Sequence, residues 1–277
     1  MPGSPLRIFS DLHFRDPRGV LHDLADFSPL LGDAERVVFN GDSLDTQVPA
    51  MARHAGELLD FTRGSGRVID WLSGNHDPDF SERAELSLCD GRVWVTHGDV
   101  FFPAIAPWSH HAAELRRRFD AEAAGLAGAE LRRVETLLHL HRKISRSLPE
   151  PPHLFRPGLL MRFYRLAHAI LPPSRLVEMV RAWKTTPRLV AELARAQRPE
   201  ARVVVLGHTH YPGVWRVPGR RGSPDLTVVN TGSFTRPLGG LLVELHGDCL
   251  RVIRIARRGR SFAEGRPVAE LSVALGS

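Results

Sequence analysis

Short apolar runs that end beside histidine, asparagine or aspartate recur along this chain, and they constrain its fold more than any other feature. Such runs are typical of strands that are buried on both faces. Segments long enough for helices, at 20–31 and 47–63, separate the first of them. This alternation of strands and helices predicts an α/β fold. The runs are Leu6–Phe9, Val37–Phe39, Val68–Leu72, Val93–Val95 and Val203–Leu206.

The last third of the chain predicts strands with little sequence between them. Leu226–Val229, Leu241–Leu245 and Leu250–Ile255 have the composition of strands, and residues 246–249, His-Gly-Asp-Cys, have that of a hairpin turn. We expect these strands to extend a sheet in antiparallel fashion.

The middle of the chain has a different pattern, rich in Ala, Leu, Arg and Glu, which favour helices. Proline pairs interrupt it. We interpret residues 109–198 as a basic helical insertion, or cap, within a core formed by residues 1–108 and 199–277. The predicted helices of the insertion span 112–148, 156–170 and 173–197.

The positive charge of the chain is concentrated in this middle segment. The whole chain has a net charge of +6, and residues 101–200 alone contain 17 basic and 9 acidic side chains. Such an excess indicates an anionic partner: a phosphate-bearing substrate, an acidic membrane surface or nucleic acid. Solvated helix faces in an arginine-rich protein are the alternative interpretation.

Cysteine content and the N-terminal sequence bear on location. The chain has two cysteines, Cys89 and Cys249, too few for a disulfide framework. No apolar stretch approaches the roughly 18 residues that a membrane span requires. The N-terminus has no basic and apolar signal-peptide pattern. These features predict a cytoplasmic protein.

The residues that follow the five apolar runs point to metal binding. In an extended chain, residues i and i+2 lie on the same side, so Asp11 and His13 can reach one ion, and so can His208 and His210. Ligands of open α/β sheets bind at the carboxyl ends of the strands, where these residues fall. The clusters are Asp11-Leu12-His13, Asn40-Gly41-Asp42, Asn75-His76-Asp77, His97-Gly98-Asp99 and His208-Thr209-His210.

Seven potential donors are more than one ion with an open position needs, and they suffice for two ions if a carboxylate bridges them. Asp42 is the natural bridge. Mixed carboxylate, carboxamide and imidazole donors suit Mn²⁺, Fe²⁺ or Zn²⁺, and we expect two divalent ions, with Mn²⁺ as the first choice. The candidate ligands are Asp11, His13, Asp42, Asn75, His97, His208 and His210.

The order of these blocks resembles the calcineurin-like metallophosphoesterase superfamily, whose pattern is Asp-x-His, Gly-Asp, Gly-Asn-His-(Asp/Glu), a later His and Gly-His-x-His. The resemblance implies a four-layer αββα sandwich of two mixed sheets, with the helical insertion as a lid. It also implies two ligand sets that share Asp42. One ion would take Asp11, His13, Asp42 and His210, and the other Asp42, Asn75, His97 and His208.

The same resemblance implies a metal-dependent phosphohydrolase. His76 matches the histidine that acts as general acid or stabilises the transition state, and Asp77 would orient it. Asn75 and His76 would also contact the substrate. Two ions would lower the pKa of a bridging water and clamp the phosphoryl oxygens during in-line attack. Residues 230–233, Asn-Thr-Gly-Ser, match a turn that forms a wall of the active site.

The insertion carries a narrower resemblance, to the UDP-2,3-diacylglucosamine pyrophosphatase family of lipid A biosynthesis. That family releases UMP and a lipid phosphate at the inner face of the cytoplasmic membrane. It implies an apolar cap for acyl chains, arginines such as Arg116 and Arg117 for phosphates, and peripheral contact with anionic lipid. Two residues depart from its pattern, since His76 and Tyr211 stand where that family commonly has Arg.

Other substrates stay open on the sequence alone. A metallophosphoesterase of this kind could act on nucleotides, other phosphodiesters or phosphoproteins. A nuclease that uses the basic insertion is an alternative of another class, but the insertion has few aromatic residues for base stacking, which disfavours nucleic acid. His110 and His111 are further candidates for substrate contact.

Overall fold

The computed structural model describes residues 5–147, 172–219 and 224–274, and its strands form two mixed sheets. All five apolar runs that the sequence predicts as strands are strands. The predicted helix at 156–170 lies outside the described residues. The strands are β1 (Leu6–Phe9), β2 (Arg36–Asn40), β3 (Val68–Leu72), β4 (Glu85–Leu88), β5 (Val93–Thr96), β6 (Val203–Leu206), β7 (Gly213–Val217), β8 (Leu226–Asn230), β9 (Leu241–His246), β10 (Cys249–Arg258) and β11 (Ser261–Ser272).

The first sheet has the strand order β11-β10-β9-β1-β2-β3. Strands β1, β2 and β3 are parallel, with Ile8 opposite Val38. Strand β9 pairs with β1 in antiparallel fashion, with Ile8 opposite Val243, and β10 and β11 extend this antiparallel half. The predicted hairpin between β9 and β10 is confirmed, since His246 pairs with Cys249 across the turn.

The second sheet has the strand order β4-β5-β6-β8-β7. Strands β5, β6 and β8 are parallel, and the edge strands β4 and β7 are antiparallel to their neighbours. The prediction that Leu226–Val229 extends a sheet in antiparallel fashion is right for its pairing with β7, where Val229 lies opposite Val214, and wrong for its pairing with β6, where Val229 lies opposite Val205 in parallel. The reason is that β7 reverses the chain direction once before β8 begins.

The predicted helical segments that lie within the described residues form helices, and three of them, 20–31, 47–63 and 112–148, do so in shorter pieces. Segment 173–197 is helical over its full predicted length. In segment 20–31, Pro29 lacks the N–H that would extend an α-helix, and the chain tightens into a 3₁₀ turn at Ser28–Leu31. Segment 112–148 is broken in two near Gly125 and Gly128. The α-helices are α1 (Leu24–Phe27), α2 (Pro49–Ala52), α3 (Ala55–Gly64), α4 (Ala112–Ala123), α5 (Val134–Arg146) and α6 (Pro173–Gln197).

Apolar side chains cover both faces of each sheet. The core therefore has three parts, one between the two sheets and one between each sheet and the helices that pack on it. Neighbouring residues of a strand point to opposite faces. Phe9 therefore packs with the residues of α1 and α3, whereas Ile8 packs between the two sheets. In β6, Val205 joins Ile8 between the sheets and Val204 packs against Val190 of α6. The layers run helix, sheet, sheet, helix, so the predicted four-layer sandwich is confirmed.

Helices α4, α5 and α6 lie in the segment predicted as an insertion. Helix α6 packs on the second sheet through Ala182, Val190 and Ala194, and α5 adds Val134 to the same cluster. The boundaries of the insertion stay a prediction. Among the described residues, no helix combines the length and the apolar character that a membrane span needs.

Three edge strands, β4, β7 and β11, have no counterpart in the sequence prediction. An edge strand is buried less completely, so its sequence lacks the continuous apolar run that marks an interior strand. The predicted strand β3 shows the same effect, because Val68 at this sheet edge is 63% exposed.

We expect Phe39→Ala to lower the free energy of unfolding by about 3–5 kcal/mol, because it leaves a cavity in the core. The Phe39 side chain is fully buried, and its ring stacks on Trp71 with a centroid distance of 4.5 Å. Urea denaturation measures the change. Val268→Ala, on the exposed side of β11, should stay within about 0.5 kcal/mol of wild type. Equal losses in the two variants would contradict this description of the core.

Candidate metal centre

The five predicted clusters meet where the parallel strands of the two sheets end. The Asp11 N–H donates to the Gly41 carbonyl at 3.0 Å, and the Phe234 N–H donates to the Asp11 carbonyl at 3.0 Å. The Asn40 side-chain amide donates to the Thr96 carbonyl of the second sheet at 3.0 Å. These hydrogen bonds connect the loops of the first sheet with residues of the second.

Asp11, His13 and His210 form the first group of donors. Asp11 Oδ1 lies 3.0 Å from His210 Nε2, and His13 Nε2 lies 3.3 Å from His210 Nε2. All three donor atoms lie within 4.8 Å of one another. Two imidazole nitrogens and a carboxylate oxygen therefore converge, as the ligands of a cation do.

Asp42, His97 and His208 form the second group, which has the same mutual spacing. His97 Nε2 lies 3.2 Å from Asp42 Oδ2 and 3.2 Å from Asn75 Oδ1. Asn75 therefore adds its carboxamide oxygen to this group. The structure brings together all four residues of the second predicted ligand set.

Asp42 lies between the two groups. Its Oδ2 atom is 3.2 Å from His97 Nε2 and 3.9 Å from His13 Nε2. Its Oδ1 atom accepts a hydrogen bond from the His76 backbone N–H at 2.8 Å. This position is the one that a bridging carboxylate needs.

Each of the four histidines has a partner for its second ring nitrogen. His97 Nδ1 lies 3.1 Å from the Asn40 carbonyl, and His208 Nε2 lies 2.8 Å from the Ile105 carbonyl. A carbonyl only accepts, so these nitrogens carry a proton and the opposite nitrogen of each ring is the one that can bind a metal. His13 Nδ1 and His210 Nδ1 lie 3.1 Å from Asp45 Oδ2 and from Thr235 Oγ1, respectively. Such outer contacts orient histidines for metal binding.

Two glycines are needed because ligand carboxylates occupy the space of a side chain. A Cβ at Gly207 would overlap the Asp11 carboxylate and the Ser10 side chain. A Cβ at Gly74 would overlap the Asp42 carboxylate. This reason for the glycine of the Gly-His-x-His block has no local signal in the sequence.

Five donor residues have left-handed backbone conformations that are rare outside glycine. The φ angles are 51° at Asp11, 43° at His13, 51° at Asp42, 63° at His208 and 54° at His210. Such conformations cost about 1–3 kcal/mol each and persist only where the surroundings impose them. The loops therefore store strain to aim these side chains at one point.

The electrostatics of the cluster favour cations. Burial opposes ionisation of Asp42, but His97 and His76 outweigh it and hold the pKa of Asp42 well below its usual value. Burial and the neighbouring His97 lower the pKa of His208 to about 4, so His208 is neutral at pH 7. The pKa of His97 is raised well above its usual value despite burial, because Asp42 and Asp11 lie beside it. A bound divalent ion would displace the proton of His97.

These observations test whether the residues fit the metals that the sequence predicts. Ionised carboxylates, a carboxamide oxygen and oriented imidazoles are the donor types that Mn²⁺, Fe²⁺ and Zn²⁺ accept. The donor atoms of each group are close enough to share one ion, and Asp42 faces both groups. The residues therefore fit two divalent cations.

His76 lies beside the cluster and contacts Asp45. The His76 Nδ1 atom is 2.8 Å from Asp45 Oδ1, and the other oxygen of Asp45 faces His13. Burial opposes ionisation of Asp45, but His13 and His76 outweigh it and lower its pKa. Asp45 was not predicted, because no strand-end pattern in the sequence marks it.

Asp77 has a different environment from the one the sequence suggested. Its buried carboxylate accepts three backbone N–H groups, and burial together with Asp42 raises its pKa to about 6. The contact with His76 that the sequence assigned to Asp77 is made by Asp45. The N–H donors belong to Asp42, Ser43 and Gly74, at 2.9, 2.7 and 2.7 Å.

A third group, His13, Asp16 and Asp45, also has the spacing of a metal site, but an arginine lies against it. The Arg18 guanidinium forms an ion pair with Asp16 and lies 3.5 Å from Asp45 Oδ1. Arg18 therefore supplies the positive charge that these two carboxylates need.

A cavity of about 400 Å³ opens beside the donor groups. Among the predicted residues, His13, Asp42, Asn75, His76, His208 and His210 line it. Its other walls were not predicted, because they come from segments distant in sequence. Arg18, Arg236 and Thr235 provide polar walls, and Trp108, Met179, Trp183 and Leu238 provide apolar ones.

The arginines predicted to contact substrate are engaged elsewhere on the surface. Arg116 forms an ion pair with Asp120, and Arg117, 71% exposed, forms one with Glu114. Neither is among the described residues that line the cavity. His110 lies outside that lining too, and its Nε2 atom accepts from Arg175 at 2.6 Å.

Comparisons with known proteins returned similar structures only. No protein-family model matches the chain, and no curated protein matches it. Solved structures match over nearly the whole length, at low identity.

Three of these structures illustrate the likeness. A predicted phosphoesterase from Streptococcus pneumoniae TIGR4 is 16% identical, with a TM-score of 0.39 over 97% of both chains. Vacuolar Protein Sorting 29 from Cryptosporidium parvum is 15% identical, with a TM-score of 0.42 over 98% of this chain and 100% of that chain. A dimetal phosphatase from Danio rerio is 11% identical, with a TM-score of 0.46 over 99% of this chain and 100% of that chain. At these scores the site, and not the likeness, carries the assignment of function.

We expect Gly207→Ala to weaken binding of divalent metal at least tenfold, because its methyl group would displace the Asp11 carboxylate. Isothermal titration of the metal-free protein with Mn²⁺ measures the change. Gly56→Ala is the matched control, since nothing lies within 4 Å of a Cβ at this position of α3. This control should bind metal as wild type does and gain stability, because alanine favours a helix over glycine by about 1 kcal/mol. Wild-type affinity in Gly207→Ala would contradict the described packing.

Proposed function

We propose that this chain is a metal-dependent phosphohydrolase that uses two divalent ions. The observation that carries the proposal is the position of Asp42, whose Oδ2 atom faces His97 at 3.2 Å and His13 at 3.9 Å. One carboxylate between two donor groups is what a pair of closely spaced cations requires, and such pairs catalyse in-line displacement at phosphorus. The adjoining cavity, with His76 in its wall, offers room for a phosphoester.

The ligand sets support this chemistry. One ion would be held by Asp11, His13, Asp42 and His210, and the other by Asp42, Asn75, His97 and His208. When bound, the ions would act as Lewis acids on the phosphoryl oxygens and lower the pKa of the attacking water. We propose Mn²⁺, with Fe²⁺ and Zn²⁺ as alternatives that the same donors accept.

His76 is the proposed proton donor to the leaving oxygen. Its contact with the ionised Asp45 carboxylate through Nδ1 fixes the ring and stabilises the imidazolium form. The remaining ring nitrogen, Nε2, would then exchange a proton with the substrate. Asp77 would support the site without contacting the substrate, since its carboxylate accepts hydrogen bonds from the backbone N–H groups of Asp42 and Gly74 and holds them in place.

For the substrate, we propose UDP-2,3-diacylglucosamine or a related nucleotide-linked lipid. The resemblance of the helical segment supports this choice, and so does the apolar side of the cavity, formed by Trp108, Met179 and Leu238. Peripheral contact with the anionic inner face of the cytoplasmic membrane belongs to the same proposal. Arg116 and Arg117 give it less support than expected, because both are paired with acidic residues of their own helix.

The first test is hydrolysis of bis(p-nitrophenyl) phosphate by the purified protein with Mn²⁺. Asp42→Ala should lower kcat/KM about 10³-fold, because Lewis-acid stabilisation is worth several kcal/mol. Asp60→Ala, which removes an exposed carboxylate on α3, should retain wild-type activity. An Asp42→Ala variant as active as its parent would refute the proposed chemistry.

The substrate is tested separately, with UDP-2,3-diacylglucosamine in detergent beside a panel of nucleotides and short oligonucleotides. Release of UMP with a higher kcat/KM than that of any panel member is expected. Turnover of the panel without the lipid would remove the lipid substrate and leave the phosphohydrolase standing.

We expect Arg236→Ala to lower kcat/KM about tenfold or more, since a hydrogen bond to a charged group contributes about 1.5–3 kcal/mol. Arg236 lines the cavity, and among the described residues it has neither a hydrogen bond nor an ion pair. Its guanidinium is therefore available to a substrate phosphate. Arg188→Ala on the outer face of α6 is the control, since Arg188 is paired with Glu192. Equal kcat/KM in Arg236→Ala and wild type would contradict this role.

A further inference from the structure

We infer that Trp183 of α6 is a positioning residue for one of the two metal sites, because it fixes the peptide that carries His210. This inference rests on the proposed metal centre and extends it to a helix that contributes no ligand. It predicts that loss of Trp183 weakens binding of the ion held by Asp11, His13 and His210 and leaves binding of the other ion unchanged.

Trp183 contacts the ligand loop on both sides of His210. Its indole Nε1–H donates to the Thr209 carbonyl at 2.9 Å. That carbonyl belongs to the same peptide unit as the His210 N–H, so the hydrogen bond fixes the plane of this peptide. The Trp183 ring also stacks on Tyr211, with a centroid distance of 4.6 Å and an interplanar angle of 14°. Residues before and after His210 are thus held by the same side chain.

His210 needs such support more than Asp11 and His13, the other two residues of its donor group. Its φ angle is 54°, a left-handed conformation that persists only where the surroundings impose it. Its side chain is 35% exposed, whereas those of Asp11 and His13 are almost fully buried. Packing therefore restrains His210 less, and its orientation depends on the Thr209 peptide and on the Thr235 hydroxyl.

Among the described residues, the hydrogen bonds of His208, two residues earlier, come from outside α6. The Asn230 side-chain amide donates to the Gly207 carbonyl at 2.7 Å and to Thr209 Oγ1 at 2.9 Å. The His208 backbone N–H donates to the Asp11 carboxylate at 3.0 Å. These anchors come from β8 and from the loop that follows β1, so the second donor group should not depend on Trp183.

The test is titration of the metal-free protein with Mn²⁺ by calorimetry, a measurement that involves no substrate. In Trp183→Ala, the Kd of one ion should rise about 10–100-fold, the usual effect of losing an outer-shell contact, and the Kd of the other should stay unchanged. Trp183→Phe keeps a ring on Tyr211 and loses the N–H donor, so its Kd should lie between those of wild type and Trp183→Ala. Trp215→Ala, a truncation of equal size at the far end of the Trp183–Tyr211–Trp215 stack, should bind both ions as wild type does.

Other outcomes would contradict either this inference or the proposed function. Two unchanged Kd values in a folded Trp183→Ala protein would overturn the inference, and so would an equal rise in the Kd values of both ions. A wild-type protein that binds fewer than two ions would contradict the proposed function itself, so the two failures can be told apart.

Discussion

The burial of Asp11 and Asp42 where the two sheets meet is the constraint on which the rest of the structure depends. Removing an ionised carboxylate from water costs several kcal/mol unless charges or donors replace the water. Here the replacements are the imidazoles around each carboxylate and backbone N–H groups such as that of His208 on Asp11. A pair of bound cations would complete this compensation, which is why the cluster is best understood as a metal centre.

The sandwich makes such a cluster possible because its packed strands are rigid and the strained residues lie in the loops between them. The interior strands of both sheets are packed on two faces, and the loops that carry the donor residues leave at one edge. Those loops contain the left-handed residues, and hydrogen bonds from buried groups such as Asp77 and Asn230 hold them. Functional residues on loops that a rigid body positions are common in proteins. In this chain α6 joins that support through Trp183.

The sequence predicted the interior strands well, and it marked the polar side chains that the structure brings together at their ends, both for one reason. A strand buried on two faces must be apolar throughout, and a polar cluster after it is then conspicuous, as at Asp11 or His208. The same logic fails for β4, β7 and β11, whose exposed sides permit polar residues. It fails also for Asp45 and Arg236, which lie at the site without any periodic signal in the sequence around them.

The sequence by itself determined the α/β class, the positions of the buried strands and the set of residues able to bind metal, since composition and spacing encode these locally. Only the tertiary structure decided which carboxylate contacts His76, which arginines face the cavity and which helix holds the His210 loop. These depend on contacts such as Asp45 with His76 and Trp183 with Thr209, between segments whose separation in sequence carries no pattern. The packing of whole layers sets the distance between two such residues, and a local sequence motif contains no information about that distance.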